Sequence, residues 1–279
     1  MRVTVAATLE EALADPAATY LAGGTDLMVG INFGRDRPEH VVSIRTLEEL
    51  QQVGVDGRQT FGGGVTYARL LEALEGRSPA MVQAARTIGS PQILNAGTIG
   101  GNLGTCSPAG DTLPVLAALD ATILLRSASG ERRLPFSAFM FGPRRSERKP
   151  GEVVYAVEWE DAGPSQVFLK AGTRNAMVIA VANLAMVVDR SRRAVRVALG
   201  SVGPTILRAT AAEELATGLY EESSWDRPLE ASAAAIARFG ELAAAAAQPI
   251  DDQRGTARYR RHIVEVMARR ALTRTGAAA

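Results

Sequence analysis

Leu21-Ala22-Gly23-Gly24-Thr25-Asp26-Leu27 decides how the rest of the chain is read. An extended run at 19–22 leads directly into paired glycines, a hydroxyl and an acid. Glycine lets the backbone turn with positive φ and lets its N–H groups approach an anion with no Cβ in the way. A second segment has the same character: Ala96-Gly97-Thr98-Ile99-Gly100-Gly101-Asn102-Leu103-Gly104-Thr105, followed by Ser107-Pro108-Ala109-Gly110-Asp111. Either loop alone reads more readily as a tight turn. Two of them from distant parts of the chain, each with a Thr and an Asp, predict a clamp on a diphosphate. Asp26 and Asp111 would repel phosphate, yet a carboxylate accepts strongly from sugar hydroxyls, so the ligand class is a nucleotide or dinucleotide.

Other nucleotide signatures are missing. No GxGxxG follows the first strand and no GxxxxGK[ST] occurs; the only lysines, Lys149 and Lys170, follow no glycine loop. Gly62-Gly63-Gly64 leads through Val65-Thr66 into YARLLEAL and reads as a strand-to-helix turn. The single cysteine, Cys106, excludes an internal disulfide and an all-cysteine metal or iron–sulfur site built by this chain alone. It reads as a small buried residue rather than a redox thiol. With His40 and His262 the only histidines, no self-contained metal site is expected. No residue is assigned to acid–base catalysis.

The chain has 279 residues, 31 Lys+Arg against 30 Asp+Glu, and 47% hydrophobic residues, enough for two domains with real cores. A net charge of +1 argues against a general nucleic-acid or membrane-surface binder. Arg258, Arg261, Arg269 and Arg274 read as a solvated helix face or a subunit contact. The N-terminus lacks a signal-peptide core, and the longest apolar stretch, 176–188, contains Asn183 and is too short to span a bilayer, so a cytoplasmic protein is expected.

Strands are expected at 19–22, 41–44, 59–62, 122–126 and 153–159, with a hairpin at Ser129-Gly130. Capping-box spacing appears at Thr8/Glu11, Thr46/Glu49 and Thr210/Glu213, and Ser78-Pro79 reads as an N-cap followed by proline. The stretch 141–151 is polar and turn-forming, an exposed loop. Two helices close the chain near 229–247 and 256–275, the last burying Tyr259, Ile263, Val266, Met267 and Ala271. The whole reads as α+β with a boundary near residue 165.

AGGTDL at 22–27, TIGGN at 98–102 and the following SPAGDTLPVLAALDA resemble the FAD-binding medium subunit of the molybdenum hydroxylases, the group of xanthine dehydrogenase and carbon monoxide dehydrogenase. The likeness continues through Gly151-Glu-Val-Val154, Phe168-Leu-Lys170, Ala198-Leu-Gly-Ser-Val-Gly-Pro204 and Arg258-Tyr-Arg-Arg261. It departs at Ile93-Leu94-Asn95, where the family often has Ile-Arg-Asn, and at Gly110, where relatives often carry Ser. The resemblance implies a vanillyl-alcohol-oxidase-type FAD-binding domain of two subdomains at 1–165, plus a smaller C-terminal α+β flavoprotein domain at 166–279. It implies FAD contacts at Leu21, Ala22, Gly23, Gly24, Thr25, Asp26 and Leu27, with an adenine-side segment at Ile88, Gly89 and Ser90. Diphosphate and sugar contacts would come from Thr98, Ile99, Gly100, Gly101, Asn102, Thr105 and Asp111, and Val154 and Lys170 would lie near the flavin. The implied partners are a molybdopterin-binding large subunit and a 2Fe–2S small subunit, in a dimer of heterotrimers that hands electrons to an external acceptor. A free-standing FAD oxidase and a non-enzymatic nucleotide-binding module are the rival readings.

Overall fold

A computed structural model describes residues 1–175 and 177–277, so Ala176 at the head of the apolar stretch and Ala278–Ala279 of the expected second domain lie outside the described residues. Strands and helices are numbered in chain order. The chain forms two compact units that are not consecutive in sequence. The first takes Met1–Ala73, Gly89–Ser107 and Ala121–Glu160, and the second takes Leu74–Ile88, Pro108–Asp120 and Asp161–Ala279.

In the first unit, β1 (Arg2–Val5), β2 (Thr19–Leu21) and β3 (His40–Ser43) form a parallel sheet ordered β1-β3-β2. Helix α1 (Leu9–Leu13) and helix α2 (Leu27–Asn32) follow β1 and β2 respectively. The Thr8/Glu11 box forms as expected: the Thr8 hydroxyl accepts from the Glu11 N–H at 3.2 Å, and Glu11 reaches back to the Ala7 N–H at 2.9 Å. Leu9, Ala12 and Leu13 pack with Val42, Ile44, Leu47 and Leu50 into a small core beneath this sheet.

A second, antiparallel sheet in the same unit runs β4 (Val53–Gly54), β5 (Arg58–Gly62), β10 (Val153–Glu160), β6 (Thr122–Ser127), β7 (Gly130–Pro135). The expected hairpin is there, with Ser127 opposite Gly130. Between the sheets' strands in sequence lie α3 (Tyr67–Ala73), α5 (Pro91–Ala96) and α6 (Ile99–Thr105). The polar stretch 141–151 is not wholly loop: β8 (Met140–Gly142) and β9 (Arg145–Ser146) make a short hairpin whose tip is exposed.

The second unit is a four-stranded antiparallel sheet, β11 (Gln166–Ala171), β12 (Ala182–Asp189), β13 (Ala194–Gly200) and β14 (Leu207–Arg208), joined by α4 (Pro79–Arg86), α7 (Thr112–Ala118), α8 (Thr210–Ser223), α9 (Ala233–Ala246) and α10 (Ala257–Ala277). Every residue of β12 is buried, because the strand is covered on both faces. Leu184, Met186 and Val188 join Ala216, Phe239, Val264, Ala268 and Ala271 in one core, while Asn183 points to the other side, where it meets Asp111 at the start of α7.

Three local expectations are corrected. Thr46/Glu49 yields only a short 3₁₀ turn, Glu48–Gln51, without a side-chain cap. Thr210 already lies inside α8, and Glu213 instead accepts from the Val197 N–H at 2.7 Å and pairs with Arg208 at 2.5 Å. The buried face of α10 is rotated from the apolar spacing: Tyr259 is exposed, and Arg260, Val264, Met267, Ala271 and Thr275 are buried. Arg260 turns inward because its guanidinium donates to the carbonyls of Val181 (2.6 Å) and Ser201 (2.7 Å) and pairs with Asp252 (2.5 Å). Arg254, then Arg260, hold the Asp252 carboxyl well below the usual range.

Candidate functional site

The first glycine loop leaves β2 at Leu21 and ends where α2 begins at Leu27. Gly24 has φ +72°, a left-handed conformation that a side chain disfavours. Gly23 is required for a different reason: a Cβ there would lie 1.8 Å from the Ala96 carbonyl oxygen and 3.0 Å from the Gly97 Cα. Backbone therefore rests on backbone, and the two glycine segments, far apart in sequence, meet.

Along this loop the amides are open. Among the described residues none accepts a hydrogen bond from the backbone N–H of Gly23, Gly24, Thr25 or Asp26. Gly23 and Gly24 are half-buried, and Thr25 and Asp26 are exposed. Backbone donors without a protein acceptor are uncommon unless water or a ligand takes them.

The second segment is built differently. Thr98 caps α6 by accepting from the Gly101 N–H at 2.9 Å. The Ile99 N–H donates to Val65 O (3.1 Å), the Gly100 N–H to Gly63 O (3.0 Å) and the Asn102 N–H to Thr98 O (3.0 Å). A Cβ on Gly100 would sit 2.4 Å from Gly63 O, so this glycine is a packing joint. A Cβ on Gly63 would in turn meet Val154 O at 1.9 Å, which ties the TIGGN segment to buried Val154 of β10. The 62–64 run is the strand-to-helix turn expected of it, between β5 and α3. Gly101 faces outward: its nearest neighbour would be Thr98 Oγ1 at 3.0 Å. Beyond its packed amides, this segment has the hydroxyls of Thr98 and Thr105 and the Asn102 side chain. Gly89 and Ser90 lie at the other end of α5 from Ala96, with Gly89 packed on Ile93.

Ile88, Asp111 and Lys170 belong to the second unit. Ile88 lies just beyond α4, its N–H donating to Ala85 O at 3.2 Å. Asp111 and Lys170, read separately from sequence as a sugar contact and a flavin-side cation, bind each other: Lys170 Nζ donates to Asp111 Oδ2 at 2.6 Å. Lys170 Nζ also donates to Thr87 O (3.1 Å), and Asn183 Nδ2 donates to Asp111 Oδ1 (3.1 Å). Both charged side chains are buried, at 8% and 7% exposure. Burial pushes the Asp111 carboxyl up, against the opposing pull of Lys170, Asn183 and Thr87.

Sequence reading missed Arg144. It stands at the tip of the β8–β9 hairpin in the first unit, its N–H donating to Cys106 O at 3.0 Å and its guanidinium beside Asp26 at 3.4 Å. The signal was present in the run of arginines at 144–148, but nothing in their spacing ties them to residue 26. Cys106 itself is buried, as expected, and burial pushes its thiol up to about 11. It should therefore react with an aromatic disulfide reagent at pH 8 far more slowly in the folded protein than after denaturation; equal rates would place the thiol at the surface.

A strand running into open loop amides, backed by a second glycine segment in direct backbone contact, is the arrangement of an α+β protein suited to an anionic, phosphate-bearing ligand. The comparisons with known proteins give that class its family. Residues 1–159 match the family described as the FAD binding domain in molybdopterin dehydrogenase, and residues 167–275 match the CO dehydrogenase flavoprotein C-terminal domain. The chain belongs to this family, the flavoprotein subunits of the molybdenum-containing oxidoreductases. It is 33% identical over 229 residues to the nicotinate dehydrogenase FAD-subunit of Eubacterium barkeri, covering 76% of this chain and 77% of that protein. It is 28% identical to the xanthine dehydrogenase FAD-binding subunit of Escherichia coli O157:H7, over 98% of this chain and 95% of the relative. The structure of reconstituted CO dehydrogenase from Oligotropha carboxidovorans is similar throughout, with a TM-score of 0.88 and 25% identity, covering 100% of this chain and 98% of that one. FAD as cofactor and the α+β fold are thus borne out. The open amides of 23–26 suit an anion, and the Gly23 contact, which no side chain would permit, joins the two glycine segments. Among the described residues no helix is long and apolar enough to cross a membrane.

Proposed function

We propose that this chain is the FAD-binding electron-transfer subunit of a xanthine-dehydrogenase-like molybdopterin hydroxylase complex. It receives electrons from a 2Fe–2S subunit and passes them to an external acceptor such as NAD+. One observation carries the site: Gly23 packs on Ala96 beside a row of amides that have no acceptor among the described residues. In this reading Leu21–Leu27 cradle the diphosphate, with Thr98–Asn102 and Thr105 as the opposing wall. Gly89 and Ser90 serve the adenine side and Val154 the flavin side, all from the first unit. FAD, when bound, supplies a carrier that accepts electrons singly and releases them singly or as a pair. The chain's own residues bind, orient and shield it, and no side chain is assigned to move a proton.

The AGGTDL motif and the likeness to nicotinate and xanthine dehydrogenase subunits support the xanthine-type reading. A carbon-monoxide-dehydrogenase-type medium subunit is the second reading, supported by the backbone likeness along the whole chain. The two family matches, ending at 159 and starting at 167, support taking 1–165 as the FAD-binding domain and 166–279 as the C-terminal domain. The complex we propose is a cytoplasmic dimer of heterotrimers with a molybdopterin-binding large subunit and a 2Fe–2S small subunit.

Native mass spectrometry of the particle purified through a tag on this chain tests the proposal. The expected result is one FAD per chain together with a large molybdopterin-containing and a small iron–sulfur companion. Flavin without companions would give a free-standing flavoprotein instead, and a colourless monomer would overturn the reading altogether.

A further inference from the structure

The first glycine loop carries an acid, Asp26, beside amides suited to an anion, and that acid alone would oppose a diphosphate. Within the same unit the opposition is met by Arg144. Its Nη1 lies 3.4 Å from Asp26 Oδ2 and its Nη2 lies 3.7 Å from Asp36 Oδ2. These separations are longer than those of committed charge-assisted hydrogen bonds, and the Arg144 side chain is 56% exposed, so N–H donors remain for a further acceptor. Asp36 is fixed in place: its Oδ2 occupies the space a Cβ on Gly30 would need, at 1.7 Å, and the Asp36 N–H donates to Gly30 O at 3.2 Å.

The hairpin that carries Arg144 is itself clamped to the end of the second glycine segment. The Arg144 N–H donates to Cys106 O at 3.0 Å, and Cys106 Sγ donates to Arg145 O at 3.5 Å. Arg145 lies over the Phe141 ring, 4.7 Å from its centroid, which steadies the hairpin from its own side. One residue thus touches both glycine segments, through its backbone at Cys106 and through its side chain at Asp26.

We propose that Arg144 is a positioning residue for the FAD diphosphate: it cancels the charge of Asp26 and turns a guanidinium N–H toward the phosphate oxygens, leaving Asp26 to accept from a sugar hydroxyl. This rests on the FAD reading of the first loop. The test is FAD affinity of the deflavinated complex, followed by quenching of flavin fluorescence at low and high salt. Arg144→Ala should weaken FAD binding about tenfold or more, the scale of one charge-assisted hydrogen bond. The salt dependence should flatten in the same variant. Arg144→Asn, whose backbone tolerates the φ of +57° found here, should lose affinity equally while keeping the wild-type melting temperature. Adding Asp26→Asn to Arg144→Ala should restore part of the loss. Wild-type affinity in both Arg144 variants, or a loss that neither salt nor Asp26→Asn alters, would overturn the role of Arg144. Failure of the unaltered chain to bind FAD at all would overturn the loop reading instead.

Discussion

Gly23→Ala is expected to lose both stability and flavin, whereas Gly101→Ala should lose flavin alone. The added methyl at residue 23 would lie 1.8 Å from the Ala96 carbonyl oxygen and 2.6 Å from its carbon. Those are backbone atoms, which have no rotamer to retreat into, so the two segments must separate. Overpacking of this kind costs about 3 kcal/mol, and the separation pulls the open amides of 23–26 away from their backing. At residue 101 the only near atom is the Thr98 hydroxyl at 3.0 Å, which moves by a few tenths of an ångström, and alanine within a helix offsets the strain by about 1 kcal/mol. Its methyl projects where we propose the diphosphate lies. Urea unfolding of each variant, paired with flavin content after purification, separates the two effects. A normal midpoint and normal flavin in Gly23→Ala would mean that the loops do not depend on their contact. Full flavin in Gly101→Ala would remove that residue from the ligand's path.

The contrast between these glycines marks how far the sequence can be read. Glycine-rich segments flanked by Thr and Asp state that a backbone must come close to something. They do not state to what. Gly100 is close to Gly63, Gly23 to Ala96, and Gly101 to almost nothing, and only the path of the chain separates packing from exposure. The expectation that both segments supply open amides is met on the first and not on the second, because Val65, Gly63 and Thr98 already satisfy those of α6. Elements with local signals were legible: the Ser129-Gly130 hairpin, the Thr8 cap, and strands whose apolar runs are bounded by turns. The inward face of α10 was not, since a hydropathy pattern places arginine outside, and Arg260 is inside to serve carbonyls at 181 and 201. Arg144 escaped for a related reason: its partners at 26, 36 and 106 become neighbours only through the fold of the first unit.

Asp111 and Lys170 are the second place where a single change should have a large effect. They are 59 residues apart in sequence and 2.6 Å apart in space, each buried, each the other's counter-charge. Asp111→Asn leaves the Lys170 ammonium beside the Thr87 carbonyl without its counter-charge, and Lys170→Met leaves a carboxylate with the neutral donors Asn183 and Thr87. Removing one member of a buried pair costs about 3–5 kcal/mol, whereas replacing both with neutral residues of similar volume is often near neutral. The double variant Asp111→Asn/Lys170→Met should therefore be markedly more stable than the sum of the two single changes implies. Burial already raises the Asp111 carboxyl, and loss of Lys170 removes its strongest counterweight and raises it further. A carboxyl whose folded pKa exceeds its unfolded one contributes most below the unfolded value, and that contribution is lost as pH rises through the folded value. Relative to the unaltered protein, Lys170→Met should thus be least destabilised in acid and most destabilised near neutrality. Additive effects in the double variant, or a deficit in Lys170→Met that does not change with pH, would show that the two side chains act independently.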